Sequence, residues 1–231
     1  MAPTTPICDA RMTDDLLLPF ENKHIRGEYR RYFLAKRNNY FATIQEFPAL
    51  WDCYLLLDEI WIREFSDAEQ LSDTRQFLPI QLFLRSHAQF RVSFELGFAT
   101  CIGEAWNTAR SAIDSAVRAH KMFREPKLGI VWLDKENGKA EQKAFHKAFE
   151  ENKKESLFPI VHGLRDLHEY YVMFSEAGTH PTLTAVSMSS SYETTAAGVS
   201  WMQNYLEGDP RKVAMGLQYM LNAFALIEHA F

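Results

Sequence analysis

The chain has 231 residues, a formal charge of -5, 47% apolar and 13% aromatic residues, with 17 Phe and 9 Tyr. That length accommodates one large domain or two small ones around a substantial core, and the composition excludes a disordered chain. The acidic balance argues against a broad basic surface for nucleic-acid backbone, so extended DNA binding is not expected.

Pro3, Pro6 and Pro19 punctuate residues 1–20, which read as an irregular tail ahead of a single helical domain over 21–231. The opening MAPTTPICDARMTDD has no basic region followed by an apolar core, so no signal peptide is expected. No run reaches the roughly 18 apolar residues of a membrane span, and a cytoplasmic protein without membrane contact is expected. Cys8, Cys53 and Cys101 are scattered without CxxC spacing and read as reduced thiols rather than zinc ligands or a disulfide.

Helical patterning starts near Gly27 and runs through Tyr29, Tyr32, Phe33, Tyr40, Phe41 and Ile44 to Phe47-Pro48. Its basic residues, Arg26, Arg30, Arg31, Lys36 and Arg37, alternate with aromatics, as single-stranded nucleic-acid binders do. An amphipathic surface helix has the same pattern and is the preferred reading. Pro48 suits the first turn of the next helix, Ala49 to Phe65, which is apolar nearly all round and so predicts a buried position or an interface. A further helix is expected from Thr74 through Phe77, Ile80 and Leu84.

The stretch Glu95 to Arg124 reads as one long central helix. Leu96, Ala99, Ile102, Trp106, Ala109, Ile113, Ala116, Val117, His120 and Phe123 recur at three- and four-residue steps, and Glu125-Pro126 ends the pattern. Ala105, Ala109, Ala112 and Ala116 form a second stripe on which a neighbouring backbone can approach. Gly97 and Gly103 mark close approach or a break near Thr100-Cys101. Arg110, Asp114 and Arg118 stand four apart and can meet on one face, either as a solvated ladder or as a partly buried group that requires partners.

After Pro126, KLGIVWLDKENGK reads as a loop, or as a short strand and turn. Lys139 to Leu157 is a charged helix. Ile160 to Ala177 is another, ended by Gly178-Thr179-His180-Pro181. The Ser/Thr-rich residues 182–200 read as a long connection. Gly208-Asp209-Pro210 turns the chain into a last helix, Arg211 to His229, with Val213, Leu217, Met220, Leu221, Phe224 and Ile227 on its apolar face.

The catalytic vocabulary is thin. The chain has no GxGxxG, P-loop, GxSxG or HExxH. Glu21 and His24 have the Glu-x-x-His spacing of carboxylate-bridged metal sites, but no second such pair accompanies them. His162, His168 and Glu169 are the nearest approach to a metal cluster, yet the histidines are six residues apart and point to different sides of a helix. No metal and no cofactor are expected.

Two phrases are more specific: Gly103-Glu-Ala-Trp-Asn-Thr-Ala-Arg110-Ser-Ala-Ile-Asp114, and Tyr170-Tyr-Val-Met-Phe-Ser175-Glu-Ala-Gly-Thr-His180-Pro181. Together, over about residues 80–185, they resemble an uncharacterised family of bacterial helical proteins loosely related to HEPN-like bundles. In that family an Arg-Ser-x-x-acid helix is followed by a Tyr-x-x-x-Ser…His-Pro helix end. The resemblance implies that Arg110, Asp114, Ser175 and His180 converge inside the bundle. There they would anchor the loop after His180, hold a phosphate or sugar, or cleave RNA. The HEPN ribonucleases resemble one another in an Arg followed by His after four to six intervening residues. This chain departs from them, since none of its eight histidines has an Arg five to seven positions before it.

The expectation is therefore an all-α, single-domain bundle of about seven helices, with a long central helix near 95–124. It acts as a non-enzymatic binding or assembly module, forms a homodimer, and takes a small anionic ligand near Arg110. The alternative is a HEPN-like hydrolase or ribonuclease acting through Arg110, Asp114 and His180, with Ser175 beside them and RNA as substrate.

Overall fold

The computed structural model describes residues 25–68, 76–179, 182–188, 190–196 and 198–231. The N-terminal tail, the Glu21/His24 pair and His180 lie outside the described residues. The chain groups into two compact units, residues 1–35 and 36–231. In the first, the opening of helix α1 (Gly27–Glu46) exposes Tyr29 and Tyr32 and pairs Arg31 with Glu28 at 3.0 Å.

Among the described residues the fold is all-α, with ten helical segments, seven of which have ten residues or more, where about seven helices were expected. Helix α2 (Pro48–Ala68) starts at its proline, as the missing donor allows. Helices α3 (Phe77–Phe98) and α4 (Ile102–Arg124) form the centre of the second unit. The single rod expected over Glu95 to Arg124 is thus two helices with a corner between them.

That corner is closed by backbone bonds. Thr100 adopts a left-handed φ of 63°, its N–H bonds to the Gly97 carbonyl at 2.9 Å, and the Cys101 N–H reaches back to the Leu96 carbonyl at 2.9 Å. These are the two bonds of a Schellman motif, in which glycine usually holds the left-handed position. A β-branched residue there is strained by roughly 1–3 kcal/mol. The surroundings hold it: the Asn39 amide donates to Oγ1 at 2.8 Å and the Glu207 N–H to the Thr100 carbonyl at 2.9 Å.

From the corner α4 runs back antiparallel to α3. A Cβ at Gly97 would stand 3.8 Å from the Ala105 Cβ, and Ser86 Oγ donates to the Ala112 carbonyl at 2.8 Å, so rising numbers on one helix face falling numbers on the other. The alanine stripe makes this close pairing possible, and Ala105, Ala109, Ala112 and Ala116 are all buried. Beside it lies an aromatic core in which Phe90 stacks on Phe224 at 4.5 Å and Trp61 on Phe83 at 4.4 Å. Phe224 belongs to helix α10 (Pro210–Ala230), which is capped by the Asp209 side chain accepting from the Arg211 N–H at 2.9 Å.

Downstream, three expectations are corrected. The stretch after Pro126 is neither loop nor strand: it forms helix α5 (Leu128–Leu133) and a 3-10 turn, which seat Trp132 against Phe145 and Phe149 of helix α6 (Lys139–Phe149). The charged helix expected over Lys139 to Leu157 breaks at Asn152, in left-handed geometry with φ 48°, before helix α7 (Lys153–Leu157). Asn tolerates that conformation better than most residues. The helix expected over Ile160 to Ala177 is a 3-10 turn, a left-handed Gly163, helix α8 (Arg165–Phe174) and a π-turn over Ser175–Thr179.

Residues 182–200 are also more ordered than a connection. Helix α9 (Leu183–Met188) leads into an antiparallel hairpin of β1 (Ser190–Thr195) and β2 (Gly198–Gln203), in register from Ser190 opposite Gln203 to Thr195 opposite Gly198.

Candidate functional site

Arg110 and Asp114 lie on the edge of α4 between its alanine stripe and solvent, and both are half-buried. What meets them is decided by two irregular joints. The first is the π-turn after α8. A Cβ at Gly178 would stand 2.7 Å from the Asn107 nitrogen and 2.9 Å from the Gly103 carbonyl, so only glycine lets this segment press on the α4 backbone. That approach sets Ser175 and Tyr171 beside Arg110. The second is the left-handed Asn152, which folds Glu150 and Lys153 toward the same edge.

The resulting group is a chain of bonds. Arg110 donates through Nε to Ser175 Oγ at 3.0 Å and through Nη2 to the Tyr171 hydroxyl at 2.9 Å. Lys153 Nζ donates to the same hydroxyl at 2.9 Å and to Asp114 Oδ1 at 2.8 Å. Arg118 pairs with Asp114 Oδ2 and with Glu150. Ser175 in turn donates to the Tyr171 carbonyl at 2.8 Å.

The structure therefore brings Arg110 to Ser175 directly and to Asp114 through Tyr171 and Lys153. Among the described residues Arg110 and Asp114 share no ion pair. The ladder on one helix face is half formed, because Asp114 binds Arg118 while Arg110 turns away to two hydroxyls. Lys153 and Glu150 were not singled out in the sequence, and Tyr171 entered only as the first residue of the Tyr-x-x-x-Ser phrase, not as a site residue. Its i, i+4 spacing to Ser175 is the signal that puts both on one face of the helix, but Lys153 carries no local signal.

The electrostatics are asymmetric. Three cations, Arg110, Arg118 and Lys153, face two carboxylates, Asp114 and Glu150. Tyr171 is the junction. A phenol oxygen has two lone pairs, and with Arg110 and Lys153 both donating to them its own proton is left to donate elsewhere. Among the described residues no acceptor for that proton is found.

A second polar group joins α2 to α3. Asp58 Oδ1 accepts from His87 Nε2 at 2.6 Å and from Arg91 Nε at 2.7 Å, and Oδ2 accepts from Arg91 Nη2 at 2.7 Å. Burial pushes the Asp58 carboxyl up, but the bonds from Arg91 and His87 outweigh it and hold the group below the usual carboxylate range. An ionised carboxylate only accepts, so His87 carries its proton on Nε2. Burial keeps His87 below the ordinary histidine range despite Asp58. Trp61 stacks on its ring at 5.0 Å.

Two further titrating groups are shifted by burial, His120 inside the core and Glu228 half-buried. His120 is pushed down to about 4, mainly by burial and then by His162 and Arg124. Arg124 donates to His162 Nδ1 at 2.8 Å, which leaves that nitrogen without a proton. Glu228 is pushed up to about 8 by burial and by Glu64, and its Oε1 finds no hydrogen-bond partner among the described residues. Among the described residues no group of three or more His, Cys, Asp or Glu could hold a metal ion, and no helix is long and apolar enough to cross a membrane.

Clefts of about 430 Å³ and 310 Å³ flank Thr100, and one of about 620 Å³ lies between α8 and α10; Arg110 lines none of the three. Comparison of the chain with protein-family models, with curated proteins and with solved structures finds no match in any of the three.

Proposed function

We propose that this chain is a binding module whose Arg110, Lys153 and Tyr171 take a small oxyanion, and that it works as a homodimer without catalysing a reaction. The observation that supports the anion is the Tyr171 hydroxyl. Cations fill both its lone pairs, so it offers a proton to an acceptor that the described residues do not supply. Arg110 adds a planar guanidinium whose hydrogen-bond partners among the described residues are neutral hydroxyls rather than carboxylates, so its charge is uncompensated by direct pairing. An anionic oxygen at this edge would complete the phenol and balance the third cation. In this reading the likeness to HEPN-like bundles is one of architecture, with Ser175 and Arg110 as its shared anchor.

The test is calorimetric titration of the protein with inorganic phosphate at low ionic strength. Wild type should bind it, and Arg110→Ala should bind it at least about tenfold more weakly. Absence of binding by the wild type would sink the proposal. The hydrolase alternative separates from it on labelled RNA: cleavage by wild type that is lost in His180→Ala would favour the enzyme. Equal and negligible cleavage by both is expected. For the dimer, light scattering should report twice the chain mass of 26.8 kDa.

A further inference from the structure

Helix α8 works on two sides. Tyr171 meets Arg110, whereas Tyr170, about 100° round the helix from it, lines the cleft of about 620 Å³ between α8 and α10. That volume is in the range of small-ligand sites. Helix α10 contributes Tyr219 to the same cleft, and the two tyrosine rings stand 6.2 Å apart, inclined at 53°. Met173 and Leu226 add apolar lining, and both are partly buried against the core. The Asn222 amide donates to the Tyr170 hydroxyl at 3.1 Å and its oxygen accepts from Gln218 at 3.2 Å, so the Tyr170 ring is held from α10.

The charge in this cleft has one sign. Asp166 and Glu169 line it, one turn apart on α8, and no Lys, Arg or His does. Among the described residues neither carboxylate makes a hydrogen bond or an ion pair. The neighbouring cations are engaged elsewhere: Arg165 pairs with Glu155 at 2.8 Å, and His168 packs on Phe158 and Tyr171. His229, one turn beyond Leu226, does not line the cleft. A negative charge at Asp166 suits the first turn of α8, but Glu169 lies in the helix interior and gains nothing from the dipole.

An anion would meet two uncompensated carboxylates here. A metal ion of the calcium or magnesium type needs about six oxygens, and no group of three or more His, Cys, Asp or Glu ligands occurs among the described residues. A neutral apolar molecule leaves both carboxylates unused. A cation with an apolar surface uses every wall: the carboxylates through charge, the tyrosine faces through their quadrupoles, and Met173 and Leu226 through contact. We infer that the α8–α10 cleft binds a small organic cation of the alkylated-ammonium class. Its head group lies against Tyr170 and Tyr219, and Glu169 and Asp166 balance its charge. The nitrogen is fully alkylated because the N–H donors of a primary amine would find only ring faces and a thioether on the inner side. This site is independent of the anion reading at Arg110, and absence of phosphate binding leaves it intact.

The test is a magnetic-resonance titration of the full chain at low ionic strength with three probes. These are choline, its uncharged isostere with a tert-butyl group in place of the trimethylammonium, and ethanolamine, which lacks the methyl groups. Choline should shift the ring resonances of Tyr170 and Tyr219 and bind about tenfold more tightly than either of the others. Added salt should weaken it. In the double variant Asp166→Asn with Glu169→Gln the choline affinity should fall about fivefold while that of the isostere stays the same. Both side chains are exposed and unbonded, so this variant keeps the wild-type circular dichroism. Four results would each overturn the proposal: no binding of choline, shifts that spare both tyrosines, equal binding of the isostere or of ethanolamine, or indifference to the loss of both carboxylates.

Discussion

The Asp58 group and the Arg110 group are both polar networks that tie neighbouring helices together, but they are closed to different degrees. At Asp58 one carboxylate receives three bonds from two donors, and its acceptors are used from within. At Arg110 the direction is reversed: donors converge on a single phenol, and cations outnumber carboxylates. A network whose acceptors are saturated has no chemical use for a ligand. One with surplus donors and charge has a defined opening for an anion. The difference is one of stoichiometry, and it separates an anchor from a candidate site more clearly than burial does.

The largest effect expected from breaking this comparison is at the closed group. In Asp58→Ala, His87 loses its acceptor while only 5% exposed, and the Arg91 fork loses both its bonds. Removing the carboxylate takes these three bonds from a partly buried network, so a loss of about 2–4 kcal/mol is expected in urea unfolding. No response to phosphate should change. A loss below about 0.5 kcal/mol would show that this group does not fasten α2 to α3.

Glu228 sharpens the contrast from the other side, as a half-buried carboxyl whose sealed Oε1 lacks the donors Asp58 has. Its folded pKa of about 8 lies above its ordinary value of 4.5, so the folded state holds the proton more tightly. Between those values the folded state binds more protons than the unfolded one, and stability falls as pH rises, with the loss complete above about 8. Glu228→Gln removes that penalty while keeping shape. Its melting temperature should match wild type at pH 5 and exceed it by about 3 °C at pH 9. Equal melting temperatures at both pH values would mean that the carboxyl is solvated.

Only the Arg110 side of this contrast was readable in advance, and the unread part has a physical cause. Periodicity marks α4 and α10 because each buries a regular face, whereas α1 buries Thr43 and α2 Trp61; the alanine stripe announced a close neighbour for α4 without saying that it would be α3. The corner at Thr100 was only half visible. A β-branched residue is a poor candidate for left-handed geometry, and what holds it there comes from Asn39 and Glu207, sixty-one and one hundred and seven residues away. The hairpin at 190–203 was missed because Ser and Thr runs resemble linkers. At the site, Arg110, Asp114 and Ser175 were found through spacing and resemblance. Lys153 was not, because its arrival depends on the left-handed turn at Asn152.

The smallest change in stability, and the most informative about function, is expected from Tyr171→Phe. It removes one oxygen and leaves the ring against Phe158. Arg110 keeps Ser175 and Lys153 keeps Asp114, so each cation loses one bond of two. Both are partly reached by water, and a loss of about 1 kcal/mol is expected. The anion response should change far more, since the hydroxyl is the donor that an oxyanion would meet between the two cations. Phosphate should raise the melting temperature of wild type and have little effect on the variant, with affinity about tenfold weaker by titration. The opposite result, a large loss of stability with phosphate binding intact, would make Tyr171 an anchor of the Asp58 kind. Since both measurements are made on one folded variant, they distinguish a ligand contact from a structural bond without relying on catalysis.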